Sequence, residues 1–66
     1  MIDVPVLHDV VLRTDEILSR EEYEAMYDWC RANCRERFYF YPHYTRKIGG
    51  QFEDDEDAIM FALRWS

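Results

Sequence analysis

The residues best suited to recognition stand together in the middle of the chain. Residues 36–44 read Glu-Arg-Phe-Tyr-Phe-Tyr-Pro-His-Tyr. On an extended strand the period of two puts Phe38 and Phe40 on one face and Tyr39, Tyr41 and His43 on the other. Arg37 stands within this run, and Arg46 and Lys47 follow it. Aromatic rings interleaved with bases on an open sheet can stack single-stranded nucleic-acid bases. Tyr and Arg are also enriched at the energetic centres of protein contacts. The plain alternative is that Tyr39 and Tyr41 only cover the sheet and pack along their own stems. Trp65, next to the last residue, is a further contact candidate.

Other constellations offer less. Cys30 and Cys34 are four apart, on one face of a helix, where a buried thiol is the expected state. A zinc site can be drawn from Cys30, Cys34, His8 and His43, but the spacing fits no known finger. A Cys30 nucleophile with His8 or His43 as base meets the objection that helix-buried thiols are inert. The acidic run Glu53–Asp57 lacks the Gly and the alternate spacing of a calcium loop, and reads as a solvated helix start. Gly49-Gly50 is not followed by Lys-Ser or Lys-Thr, so no phosphate loop is present. Neither a cofactor nor a metal is expected, and no catalytic set emerges.

These residues need a scaffold, and its elements are legible in outline. Residues 4–13 are rich in β-branched side chains and predict a strand, with Val4, Val6, Val10 and Leu12 on one face, His8 between them, and Pro5 near its start. Ser19 followed by Glu22 is a capping box, and Leu18 can staple to Tyr23. Tyr23, Met26, Tyr27, Cys30 and Cys34 then recur at helical spacing, which predicts a helix over 20–34. Glu21, Glu22 and Glu24 suit its N-terminal dipole, and Arg31 and Arg35 its C-terminal end. The aromatic run 36–44, as a strand ended by Pro42, and, after a short connection near Tyr44–Arg46, a strand over 47–52, weakened by Gly49 and Gly50, form a hairpin with Ile48 and Phe52 inward. Asp54 or Asp55 caps a second helix whose apolar face is Ala58, Ile59, Phe61, Ala62 and Leu63, flanked by Met60. Residues 63–66 fit either a continued helix or a short final strand. The expected class is α+β: a small antiparallel sheet, in the order strand-helix-strand-strand-helix, with helices on one face. A final strand would make it ferredoxin-like.

Size and charge narrow the function. Sixty-six residues are one small domain, 48% apolar and 33% charged, which excludes a disordered tail or a collagen-like repeat. The apolar runs are far shorter than the roughly 20 residues of a membrane span, and no signal peptide is expected. A domain this size buries only about 60% of its unfolded surface, leaving little room for both a core and a deep pocket, so an enzyme is not expected. The net charge of −6 is uneven. Residues 1–30 carry eight acids and two bases, residues 31–52 five bases and one acid, and residues 53–66 five acids and one base. A net acidic chain is repelled by duplex DNA and anionic membrane, with the basic middle block as the exception. That block also has a plain reading, as solvated bases pairing with the acidic segments. Two cysteines give no disulfide framework and suggest a reducing cytoplasm.

The closing stretch Gly-Gly-Gln-Phe-Glu-Asp-Asp-Glu-Asp-Ala-Ile-Met-Phe-Ala-Leu-Arg-Trp resembles the C-terminus of small proteins encoded by tailed phages, including those of marine cyanobacteria. The upstream Glu-Glu-Tyr-Glu-Ala-Met-Tyr-Asp-Trp-Cys is similar to the same group, and the likeness spans residues 19–66. It implies a phage source and action in the cytoplasm of a bacterial host, and it carries no catalytic residue.

Together these features predict a non-enzymatic, acidic α+β protein acting by protein contact, with itself or with a host factor. The expected binding residues are Arg37, Tyr39, Tyr41, His43, Arg46, Lys47 and Trp65. The alternative is a single-stranded nucleic-acid-binding module using the aromatic, basic face. A third idea, an acidic mimic of nucleic acid, suffers from the bases that interrupt the acids. No membrane partner is expected.

Overall fold

The computed structural model describes residues 7–66. The expectations placed on Val4, Pro5 and Val6 lie outside the described residues. The element order is β1 (His8–Thr14), α1 (Arg20–Asn33), β2 (Phe38–Phe40), a 3-10 turn (His43–Thr45), β3 (Lys47–Phe52) and α2 (Asp55–Trp65). The three strands form one antiparallel sheet in the order β1-β3-β2, so the strand with two glycines is the central one. The class is α+β.

α1 begins where the capping box places it. The Ser19 side chain accepts from the Glu22 backbone N–H at 3.2 Å. The reciprocal half differs, because the Ser19 hydroxyl donates to the Glu22 carboxylate at 3.2 Å. The helix ends one residue earlier than the sequence predicts, with Cys34 as its C-cap. α2 has Asp54 as N-cap and runs on through Trp65. Residues 63–65 therefore continue the helix, no final strand follows among the described residues, and the ferredoxin-like completion does not form. Leu63 and Trp65 stay helical because no Gly or Pro interrupts α2 and Arg64 suits its C-terminal dipole.

The aromatic strand is much shorter than expected. β2 holds only Phe38–Phe40, and after Pro42 the chain turns into the 3-10 segment. Proline has no N–H to donate to a ladder, which explains the early end. His43 therefore opens the 3-10 turn instead of continuing the strand as predicted.

Both helices pack on one side of the sheet. Phe38 pairs with Phe52 and Phe40 with Gly50, which puts both Phe side chains and Phe52 on one face. Phe61 of α2 meets Phe52 at 4.9 Å and Phe40 at 6.1 Å between ring centroids. Tyr23 and Tyr27 of α1 set their ring edges against Phe40 and Phe38 at 5.5 and 5.7 Å. Met26, Cys30, Ile48 and Ala58 complete the fully buried set. Trp29, which the helical pattern left out, joins the core at 6.3 Å from Phe61.

Two corrections concern the middle of the sheet and the start of α2. β3 is the central strand, and Gly49 and Gly50 let its neighbours close on it. A Cβ on Gly49 would stand 1.9 Å from the Val10 carbonyl oxygen, and the residue has φ of +148°. A Cβ on Gly50 would lie 2.6 Å from the Tyr39 carbonyl oxygen. The acidic run is not wholly solvated either. Asp57 is fully buried, and its Oδ2 accepts the backbone N–H groups of Arg35 and Glu36 at 2.9 and 3.1 Å. Arg35 and Glu56 form an ion pair beside it. The chain leaving α1 is thereby tied to the first turn of α2.

β1 forms the outer strand beside β3. Its register shifts between Val11 and Arg13, with Leu12 as the extra residue of a bulge.

Candidate functional site

The sheet face away from the helices carries a polar network. Asp9 of β1, Gln51 of β3 and Tyr39 of β2 stand in one cross-strand row. Gln51 Nε2 donates to Asp9 Oδ1 at 2.8 Å. The Tyr41 hydroxyl donates to the same oxygen at 2.8 Å. Tyr41 continues the β2 register opposite Gly49, its N–H donating to the Gly49 carbonyl at 3.2 Å. It reaches Asp9 across β3 at the position where no side chain stands. The Tyr39 hydroxyl donates to Glu53 Oε2 at 3.3 Å.

Electrostatics follow from these bonds. The donors Tyr41 and Gln51 hold the Asp9 carboxyl below its ordinary 3.8. Burial, then the hydrogen bond to Asp9 and its charge, pushes the Tyr41 phenol up to about 12. The Lys47 ammonium lies 5.4 Å from the Tyr41 ring centroid, so that ring already has a cation over it. Tyr39 remains half exposed.

The other predicted residues are scattered. Arg37 lies just before β2, where its carbonyl accepts from the Glu53 N–H at 3.1 Å, and it borders a shallow groove together with Tyr39 and with Arg31 and Tyr27 of α1. Arg46 occupies the turn before β3 with φ of 57°, and its carbonyl accepts from the Glu16 N–H at 3.4 Å. Trp65 is on the helix side of the sheet, packed against the core, with the Arg64 guanidinium 4.4 Å from its ring centroid. The structure thus gathers Tyr39, Tyr41 and Lys47 on the outer face and leaves Trp65 on the other side. His43 stands in the turn, off the strand that carries Tyr39.

A surface the sequence reading assigned to the core lies on α2. Phe61 sets the inward direction together with Ala58 and Trp65, three and four residues away. Ile59 and Leu63 sit two residues either side of Phe61, about 200° around the helix. They are 58% and 76% exposed, with Met60 beside them. Both were predicted inward; the burial of Phe61 turns them out. A strict count at three and four residues from Phe61 finds this second stripe.

Neither thiol is poised for chemistry. Burial, followed by the neighbouring Cys34 and Asp57, pushes the Cys30 thiol far up from its ordinary value. Cys34 is raised by burial and by Asp57. Both cysteines are free. Among the described residues, no group of three or more His, Cys, Asp or Glu side chains lies close enough to hold a metal ion, and no helix is long and apolar enough to cross a membrane.

No known protein family, curated protein or solved structure matches the chain.

Proposed function

We propose that the chain is a binding protein without catalytic activity, that it acts inside a bacterial host, and that it associates with a second copy of itself through α2. The observation that carries this reading is the exposed stripe of Ile59, Met60 and Leu63. Large apolar side chains grouped on one helix face favour a partner over water. The charges on α2 suit a second α2 packed antiparallel. Asp55 stands at its N-terminal end and Arg64 in its last turn, so a two-fold axis sets acid against base twice. The same axis places Ile59 of each copy against Leu63 of the other. α2 is only about 16 Å long at 1.5 Å per residue, and a standard interface takes about 800 Å² from each partner, so the association is weak.

The nucleic-acid alternative has less support. Asp9 and Glu53 take the hydroxyls of Tyr41 and Tyr39, and carboxylates on the face repel phosphate. The cation over the Tyr41 ring leaves less of it for base stacking.

Sedimentation over a concentration series up to about 1 mM tests the reading. The expected result is a rise from the 8.1 kDa monomer toward twice that mass, abolished by Leu63→Glu and unchanged by Tyr39→Ala. A monomer at every concentration overturns self-association. Salt-sensitive binding of a single-stranded oligonucleotide, lost in Arg46→Glu, overturns it in favour of the alternative.

A further inference from the structure

A second concave feature has no part in the α2 contact. A cleft of about 500 Å³ opens at the end of the sheet where β2 stops early. Pro42 takes the chain away from the sheet, so among the described residues β2 does not extend over Lys47 and Ile48 at the start of β3. Its floor is apolar: Met26 and Ile48 are fully buried, and Leu18 and Phe40 half-buried. A volume of this size falls in the range of small-molecule sites.

The rim decides which molecule fits. Three charged side chains border the cleft: Glu16, Arg20 and Lys47. Glu16 is matched by Arg13 at 3.4 Å, and Arg20 by Glu24 at 3.1 Å. Lys47 has no carboxylate within ion-pair distance among the described residues. Its ammonium lies over the Tyr41 ring at the border of the cleft, and the Asp9 carboxylate feels its charge without forming an ion pair with it. An apolar body on Ile48 and Met26 with one negative head at Lys47 would satisfy both features at once. A cation would be repelled, and a neutral molecule would leave the ammonium unmatched.

We infer that this cleft is a binding site for a small organic monocarboxylate with an apolar body. The carboxylate pairs with Lys47, and the unused guanidinium N–H groups of Arg20 lie on the same rim. Lys47 is an exposed residue whose change leaves the core intact, so the site can be tested in a folded chain.

Three matched probes, phenylpropionate, phenylpropionamide and phenylpropylamine, differ only in the charge of the head. Backbone amide chemical shifts of the full chain, titrated with each, read both the location and the strength of binding. The expected result is a shift set centred on Leu18, Ile48 and Gly49, with the acid bound about tenfold tighter than the amide and the amine weakest. Lys47→Gln brings acid and amide together, and Lys47→Arg keeps them apart. Equal binding of acid and amide overturns the proposal, as does a preference that survives Lys47→Gln. No shift at these amides up to about 10 mM overturns it too, whatever sedimentation says about α2.

Discussion

Asp57 does two things from one position. It stands in the first turn of α2, where a carboxylate suits the helix dipole, and it receives two backbone N–H groups from the chain leaving α1. Removing it leaves both partly buried donors without their acceptor. Asp57→Ala is expected to cost about 2–3 kcal/mol, read as a lowered urea midpoint with unchanged slope. The sequence placed Asp57 in a solvated acidic run, because five acids in a row look alike until the path of another segment is known. Asp9 contributes differently. Its carboxyl is held below 3.8 in the folded chain, so the ionised form is the one the fold prefers. That preference is fully present above the ordinary carboxylate range and is lost as pH falls through the lowered folded value. The stability difference between the wild type and Asp9→Asn is therefore expected to be constant from about pH 7 to pH 5 and to shrink on further acidification. A gap that widens in acid would contradict the network around Tyr41.

At the scale of elements, local signals located some boundaries and tertiary contacts moved others. α1 starts at Arg20 because Ser19 and Glu22 form their bond within four residues of chain. β3 occupies Lys47–Phe52, as the alternation of Ile48 and Phe52 predicts. The position of β3 at the centre of the sheet was not legible, because Gly49-Gly50 reads as a weak strand by propensity alone. Only the strands on either side reveal why side chains are excluded there. Gly49→Ala would need both a positive φ and a Cβ inside van der Waals contact with the Val10 carbonyl. It is expected to destabilise by about 2 kcal/mol or more, seen as a lowered melting temperature with earlier loss of the β1–β3 amide protection. α2 shows the opposite failure. Its composition announces an apolar helix, but with apolar residues at 58–63 almost all round, composition does not choose which stripe faces in. The choice comes from Phe61 meeting Phe52 and Phe40. The predicted aromatic face was legible in Tyr39 and Tyr41, while the carboxylates that bind their hydroxyls come from residues 14 and 32 positions away.

At the scale of the molecule, the shortest extent is 16 Å, room for one sheet and one helix layer. Such a slab has one apolar interior, and the aromatic rings of Phe52 and Phe61 lie at its middle. Truncating a buried Phe costs about 3–5 kcal/mol, against a total near 3–10 kcal/mol for a domain of this length. Phe61→Ala is thus expected to abolish the cooperative thermal transition in circular dichroism. Leu63→Glu, two residues away on the outer stripe, is expected to leave the transition in place. The contrast between these two neighbours separates the inward and outward faces of α2 in one pair of proteins. The prediction of an α+β protein with both helices on one face was legible because a sheet and two amphipathic helices have few other ways to bury their apolar sides.

The bulge at Leu12 bears on what happens when the protein is crowded. A long flat rim on a sheet is a template onto which strands of other molecules can zip, the first step toward fibrils. Here the outer rim of β1 is interrupted between Val11 and Arg13, and the opposite rim, β2, is only three residues long. Among the described residues, neither rim offers an unbroken stretch of the six or so residues that a steric zipper requires. Native protein held at high concentration is expected to give no thioflavin-positive material on seeding.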